Sequence, residues 1–355
     1  MKRTAIVFSP IYYQHNTGKG HPEKAKRLKA IVKEVSEWNK LGQKRNIQFV
    51  KPEKARIEDV EIVHMPEYVK LVEAVCKAGG GLLDLQDTVV SSNSFDVALY
   101  AVGGTLTATH LIMEGKNRNA FALVRPPGHH AARHRALGFC LFNNAAIAAQ
   151  HLIEKFNLKR ILILDLDAHH GNGTQEIFYA TDKVLYVSLH EDPAGFPGAG
   201  FAEETGKVDG KGFNVNVPLP FGTGDSEYLQ AINEIAMPIA RQYEPQFVVL
   251  SAGFDAHYAD PVGQLSLSVL GIKKAFKATV DLASELCQER LLAVLEGGYN
   301  LETIGKLATS AVAVMSNDSY VLADETPTCL KKMGKRAQRA IKKTKKVQSA
   351  FWNIK

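Results

Sequence analysis

Cysteine is scarce in this chain. There are four among 355 residues, Cys76, Cys140, Cys287 and Cys329, and none stands in a CxxC spacing. That excludes a disulfide framework and a cysteine zinc cluster, and it fits a reducing compartment. No apolar run approaches the ~20 residues of a membrane span. The opening Met-Lys-Arg-Thr leads into an apolar run at 5–8 that is too short for a signal-peptide core. Together these absences give the expectation of a cytoplasmic protein. Acid is missing from one region. Residues 331–355 hold ten Lys or Arg and no Asp or Glu, so the formal charge of +6 divides into a basic tail and a body of about −4. The tail also lacks an aromatic run for stacking bases. A solvated helix or a frayed end is the simpler account of it, with nucleic-acid contact the alternative. Phe351 and Trp352 are available for docking.

The residues that are present argue for one large domain. At 45% hydrophobic the chain can bury a large core. Apolar runs near 4–8, 121–124, 161–165, 184–189, 213–217, 247–251 and 291–295 read as strands. Helical spacing occupies a segment starting at Pro22 and reaching Trp38, then 58–77, 95–114, 226–242 and 268–288. Gly103 and Gly104 give the third of these a surface for close packing. Such alternation predicts an α/β domain with a largely parallel sheet and helices on both faces. We expect that domain over 1–320, followed by the basic tail over 321–355. No repeat and no linker-like shift in composition precedes residue 320.

Residues 161–174 read Ile-Leu-Ile-Leu-Asp-Leu-Asp-Ala-His-His-Gly-Asn-Gly-Thr. Four apolar residues have the pattern of a strand buried on both faces. Asp165, Asp167 and His169 then alternate, so on a continuing strand they would point the same way. Two carboxylates and an imidazole at the end of a buried strand repel and desolvate one another unless a cation joins them. The carboxyl ends of parallel strands are also where open α/β sheets bind ligands.

Three other strand ends gather polar residues. After 121–124 comes Arg-Pro-Pro-Gly-His-His, ending in His129 and His130. After 247–251 comes Ala-Gly-Phe-Asp-Ala-His, with Asp255. After 291–295 comes Glu-Gly-Gly-Tyr-Asn, with Gly298 and Tyr299. Asp167, His169 and Asp255 supply N and O ligands that suit Zn²⁺ with an open position for water. A bound Zn²⁺ lowers the pKa of water to ~7. Either His129 or His130 can take the water's proton and return it to a leaving amine. Each needs its second ring nitrogen fixed; Asp165 serves one and Asn172 the other. Tyr299 can donate to a developing oxyanion.

These runs, with Leu-Gly-Phe-Cys at 137–140 and Asp-Pro at 260–261, resemble the zinc-dependent histone deacetylase and acetylpolyamine amidohydrolase superfamily over residues 5–315. The resemblance implies an arginase-like single α/β domain and removal of acetyl groups from acetylated primary amines, acetyl-lysine foremost and acetylpolyamines as the alternative. It implies zinc at Asp167, His169 and Asp255, a catalytic pair His129 and His130 with His130 as base and acid, and Tyr299 polarising the carbonyl. Phe139 and Phe196 would wall the channel for the aliphatic stem beside Gly138 and Gly298. Asp87 would be a rim carboxylate and Arg27 would lie below the zinc. Potassium is implied at Asp165, Asp167, His169, Ser188 and Leu189, and at a second site of Phe178, Thr181, Val184 and Phe213. Asn172 and the loop 15–23 resemble the class II-like branch. The long entrance insertion of polyamine-specific members has no counterpart here. A two-manganese ureohydrolase on the same fold would need more carboxylates than Ala168 and Asn172 leave. A non-catalytic acyl-amine binder fits poorly with retention of metal, base and oxyanion residues. Oligomeric state stays open.

Overall fold

The computed structural model describes residues 3–41, 46–84, 87–321 and 331–354; for 331–333 only the backbone is described. The first half comprises β1 (Thr4–Val7), α1 (Ala25–Leu41), β2 (Ile47–Val50), α2 (Ile57–Glu61), α3 (Pro66–Lys77), β3 (Gly80–Leu82), β4 (Val89–Ser91), α4 (Ser94–Met113), β5 (Asn119–Ala122) and α5 (Asn144–Phe156). The second half adds β6 (Ile161–Asp165), α6 (Asn172–Phe178), β7 (Val184–Glu191), β8 (Asn214–Leu219), α7 (Asp225–Ala231), α8 (Met237–Tyr243), β9 (Phe247–Ala252), α9 (Val269–Leu286), β10 (Leu291–Leu295), α10 (Ile304–Ser316) and α11 (Lys331–Gln348). Eight strands form one parallel sheet in the order β2-β1-β5-β10-β9-β6-β7-β8, and β3 pairs with β4 in a small hairpin. Strands β5, β6, β9 and β10 are buried at every position because helices cover both faces. α4 and α5 lie over one face; α1, α9 and α10 lie over the other.

Most sequence expectations for the sheet match within a residue or two, and the departures have physical causes. α1 begins at Ala25 because Glu23, one residue after Pro22, turns inward to a buried ion cluster. The strand expected at 121–124 pairs over 119–122, with Leu123 and Val124 buried beyond it. The helix expected over 226–242 is interrupted by a π turn at Ile232–Ala236. Pro238 stands two residues beyond it; it has no N–H for an ordinary helical bond, and the wider turn accommodates that. β2, an edge strand exposed at two of its four positions, had no apolar run to reveal it. α4 corrects the reading of apolar runs: by length and composition it could cross a membrane, but 67% of its apolar window is buried inside the domain. A Cβ at Gly103 would strike the Glu53 carbonyl, so that glycine lets the 53–55 segment lie on the helix.

The basic tail forms a helix docked on the sheet's open edge. Ala337, Ile341, Thr344 and Gln348 are buried. The Thr344 hydroxyl donates to the Asn216 carbonyl (3.4 Å) and the Gln348 amide to the Asn214 carbonyl (3.2 Å). Both acceptors are on β8, so α11 covers the edge that a further strand would otherwise occupy. Trp352 closes the end, its indole N–H on the Gly212 carbonyl at 2.8 Å.

Candidate active site

β5, β10, β9 and β6 are adjacent, and their registers bring Ala122, Val294, Ser251 and Asp165 level. Each of the four polar runs therefore emerges beside the next.

β6 ends at Asp165, so alternation along a strand does not orient Asp167 and His169. Backbone turns do. Asp167 N–H donates to Asp165 Oδ1 (3.2 Å) and His169 N–H to Asp167 Oδ1 (2.9 Å). Asp165 points away from the nest, toward His129. His169 Nδ1 lies 3.2 Å from both Asp167 Oδ1 and Asp255 Oδ2. The remaining oxygens are spent on backbone N–H groups, Asp167 Oδ2 on Gly297 (2.8 Å) and Asp255 Oδ1 on Ala168 (2.9 Å). A Cβ at Gly297 would collide with both carboxylates, so the loop comes this close only with glycine. Burial and the charge of Asp167 push the Asp255 carboxyl up to about 7. One imidazole nitrogen and two carboxylate oxygens, converging and buried, fit a divalent cation of the zinc type. A second cluster of His129, Cys140 and Glu296 has similar spacing. Its carboxylate is occupied by backbone, and burial holds the Cys140 thiol protonated.

His129 and His130 have different partners. His129 Nδ1 is 3.1 Å from Asp165 Oδ2, which also accepts from the Tyr186 hydroxyl (3.0 Å). His130 Nδ1 is 2.8 Å from Asn172 Oδ1. Burial disfavours the charged form of both. The charges of Asp167 and Asp165 overcome this at His129 and raise it to about 10; at His130, His129 and His169 reinforce it and hold that ring well below its ordinary value.

Several functional contacts had no clear sequence signal. Glu296 Oε2 accepts the N–H groups of Gly128 (2.7 Å) and His129 (3.1 Å), which sets the turn before the histidine pair. Asp260 Oδ2 accepts from Tyr299 N–H (2.6 Å) and Asn300 N–H (3.1 Å). Arg27 holds the same loop through the Gly298 and Glu296 carbonyls, both at 2.5 Å, with its guanidinium 4.7 Å from the Tyr299 ring centre. Asp167, through the Gly297 N–H, joins Asp260 and Arg27 as the third side chain that pins the Tyr299 loop. Burial raises the Tyr299 hydroxyl well above its ordinary value; Arg27 opposes this, and Asp255 and Asp167 add to it. Glu191 is 3% exposed, accepts Gln264 N–H at 2.7 Å, and puts its other oxygen 3.7 Å from His169 Nε2.

Glu23 ties the arginines together. It takes Arg125 through both oxygens (2.5 and 2.6 Å) and Arg27 at 3.1 Å, with all three side chains fully buried. Burial alone would raise its pKa, but Arg125 and then Arg27 hold it well below the ordinary 4.5. A group depressed on folding contributes stability above its unfolded pKa and loses it as pH falls through the folded value. Glu23→Ala is expected to cost about 3–5 kcal/mol by leaving two buried cations uncompensated. Urea midpoints should fall below about pH 4.5 in the native chain, and less steeply in Glu23→Gln.

Aromatic rings flank the approach. Phe196 is 4.9 Å from the His130 ring and 6.0 Å from that of His169; Phe139 is 5.7 Å from Tyr299 and 4.7 Å from His21. Gly138 has φ +54°, and a Cβ there would strike the His130 ring. Phe139 N–H bonds to Thr88 Oγ1 (3.2 Å), which places Asp87 next to this wall. Asp87 is half-buried, and one of its oxygens has no hydrogen bond. Among the residues implied for potassium, Ser188 Oγ bonds His190 Nδ1 (2.8 Å) and Leu189 follows it in β7. Phe178, Thr181, Val184 and Phe213 gather at the opposite, amino ends of β7 and β8.

An imidazole and two carboxylates beside a tandem histidine, at the carboxyl edge of a parallel sheet, make an α/β protein with a buried site suited to a divalent cation and to proton transfer. More narrowly, the chain belongs to the histone deacetylase family, whose domain matches residues 21–315. A probable deacetylase of Archaeoglobus fulgidus is 43% identical over 299 residues, covering 84% of this chain and 82% of that protein. The histone deacetylase-like amidohydrolase of Pseudomonas aeruginosa is 37% identical over 319 residues, covering 84% and 82%. Histone deacetylase HDA1 of Saccharomyces cerevisiae is 35% identical over 354 residues, covering 94% of this chain but 49% of that protein, so this chain spans about half its length. The crystal structure of the HDA15 HD domain superposes with a TM-score of 0.89 at 34% identity, covering 99% of this chain and 95% of that one.

Proposed function

We propose that this chain removes acetyl or related acyl groups from acylated primary amines, foremost acetyl-lysine side chains, with Zn²⁺ held by Asp167, His169 and Asp255. The observation that carries this reading is the His130–Asn172 pair at 2.8 Å, next to the buried nest of metal-ligand type. When bound, such a cation acts as a Lewis acid toward the acyl carbonyl and makes water acidic enough to attack near neutrality.

The chain's own groups supply the rest. Phe139 and Phe196 hold the alkyl stem and exclude water from the reacting amide. His130 donates Nδ1–H to Asn172, which leaves Nε2 to take a proton from the attacking water. The same nitrogen returns the proton to the departing amine. His129, paired with Asp165, stays behind it as a positive charge. The Tyr299 hydroxyl stays protonated and donates to the carbonyl oxygen as negative charge collects there. Free, buried thiols at Cys76, Cys140 and Cys287 suit the cytoplasmic setting proposed with this activity. The potassium sets implied by the resemblance remain part of the proposal, for direct metal analysis.

The test is acetate release by zinc-loaded protein from an acetyl-lysine peptide and from an acetylated polyamine. Peptide turnover that vanishes in His130→Ala supports the proposal. Turnover of the polyamine alone moves the activity to small-molecule metabolism. Silence on both, with metal bound, overturns the acetyl assignment and points to another acyl group or to a non-catalytic acyl-amine binder. Glu191 carries a separate prediction. A carboxylate behind a ligating imidazole raises its basicity, and losing such a partner costs roughly 10–100-fold in metal affinity. Glu191→Gln should therefore release Zn²⁺ to a competing chelator at correspondingly lower chelator concentration. Unchanged affinity would remove Glu191 from the site.

A further inference from the structure

The structure assigns a second role to α11: its outward face is a docking surface for the phosphate backbone of nucleic acid. Helix geometry sorts the residues. At 3.6 residues per turn, Lys335, Arg336, Arg339, Lys342, Lys343 and Lys346 fall within an arc of about 120° and extend about 16 Å along the axis. All six are exposed. On the opposite side Ala337, Ile341, Thr344 and Gln348 are buried against the sheet edge. Lys343 pairs with Glu203 (2.8 Å), and Lys345, on the flank, pairs with Glu234 (2.7 Å). Among the described residues the other five cations of the stripe form no ion pair. The helix contains no acid, while the preceding body carries about −4. The positive charge is thus concentrated on one rigid face.

The packing of α11 decides between partners. A basic amphipathic helix that lies in a membrane must bury its apolar face in lipid. Here that face is already used: it covers β8, and Thr344 and Gln348 bond to β8 carbonyls. What remains outward is charge alone, fixed in position by the fold. A regular line of Lys and Arg complements a regular line of phosphates. The arc has no aromatic side chain to stack on bases and no Asn or Gln to pair with adenine, and a straight line of Lys and Arg on one helix face meets phosphate oxygens first. Binding is therefore expected to be indifferent to sequence and steeply dependent on salt.

The test uses the full chain and a short duplex DNA, followed by fluorescence anisotropy across a salt series. With the five cations that have no ion-pair partner among the described residues, the slope of log affinity against log salt should be about −4 to −5, a loss of about 10²–10³-fold between roughly 50 and 200 mM salt. Lys335→Glu, Arg339→Glu, Lys342→Glu and Lys346→Glu combined should weaken binding more than tenfold at low salt and flatten the slope. These positions are remote from the catalytic loops, so turnover of a free acetyl-lysine peptide should be unchanged. Binding that survives the four reversals overturns the proposal, as does no binding at about 50 mM salt. Retention by phosphatidylserine vesicles in place of DNA would assign the face to lipid and also overturn it.

Discussion

Replacing His130 with alanine is expected to lower kcat by about 10²–10⁴-fold with the fold and metal content preserved. The prediction singles out His130 over its neighbour because of their partners. A neutral amide oxygen faces His130 Nδ1 at 2.8 Å, whereas a buried carboxylate faces His129 Nδ1 at 3.1 Å. Asn172 orients the His130 ring and fixes its tautomer without adding a negative charge, so the ring can both gain and lose a proton during turnover. Asp165 instead favours the charged form of His129. Asn172→Asp gives a second readout. It keeps the bond but makes the partner a carboxylate, which favours the imidazolium. The acid limb of kcat/KM, where the base becomes protonated, should then move to higher pH. A merely structural asparagine would leave that limb in place. Full activity in His130→Ala would transfer the proton to another group.

Tyr299→Phe should cost about 10²–10³-fold in kcat, equivalent to roughly 2.7–4 kcal/mol of transition-state stabilisation, with little change in KM. The phenylalanine retains the ring that meets Phe139 at 5.7 Å and lies under the Arg27 guanidinium. The backbone N–H at 299 still reaches Asp260. Only the hydroxyl is lost. That hydroxyl is buried and held protonated, so as a preorganised donor it acts where negative charge develops. An effect smaller than tenfold would mean that the oxyanion is stabilised elsewhere.

Much of the catalytic inventory was legible without coordinates. Apolar runs ending in Arg-Pro-Pro-Gly-His-His, Asp-Leu-Asp-Ala-His, Gly-Phe-Asp and Glu-Gly-Gly-Tyr marked strand ends with chemistry attached. Partners were harder to read. Two acceptors and two histidines allow two pairings, and only their positions choose His129 with Asp165 and His130 with Asn172. Glu23 was hidden because its partner Arg125 lies about a hundred residues away in sequence. Glu191 was hidden because an acidic residue beginning a loop reads as solvated until its burial is known. The tail was legible only in part. Its charge suggested a solvated helix or a frayed end, with Phe351 and Trp352 available for docking; the helix and the docked Trp352 are there, but the sparse buried residues Ala337, Ile341, Thr344 and Gln348 were too few and too polar to announce a docked helix face.

By itself the sequence determined which central strands are buried, where they end to within a residue or two and which side chains follow them, because hydrophobic pattern and backbone-restricting residues are local properties. It could not determine that β5, β10, β9 and β6 lie side by side. Strand order depends on which helices can cross between parallel strands and pack on each face, and that is settled by the whole core at once. Tertiary structure alone decided that these four ends meet and that Asp167, His169 and Asp255 face one another. It also decided which side of α11 is turned to solvent, since the sheet edge takes the side that can bond to its unpaired carbonyls.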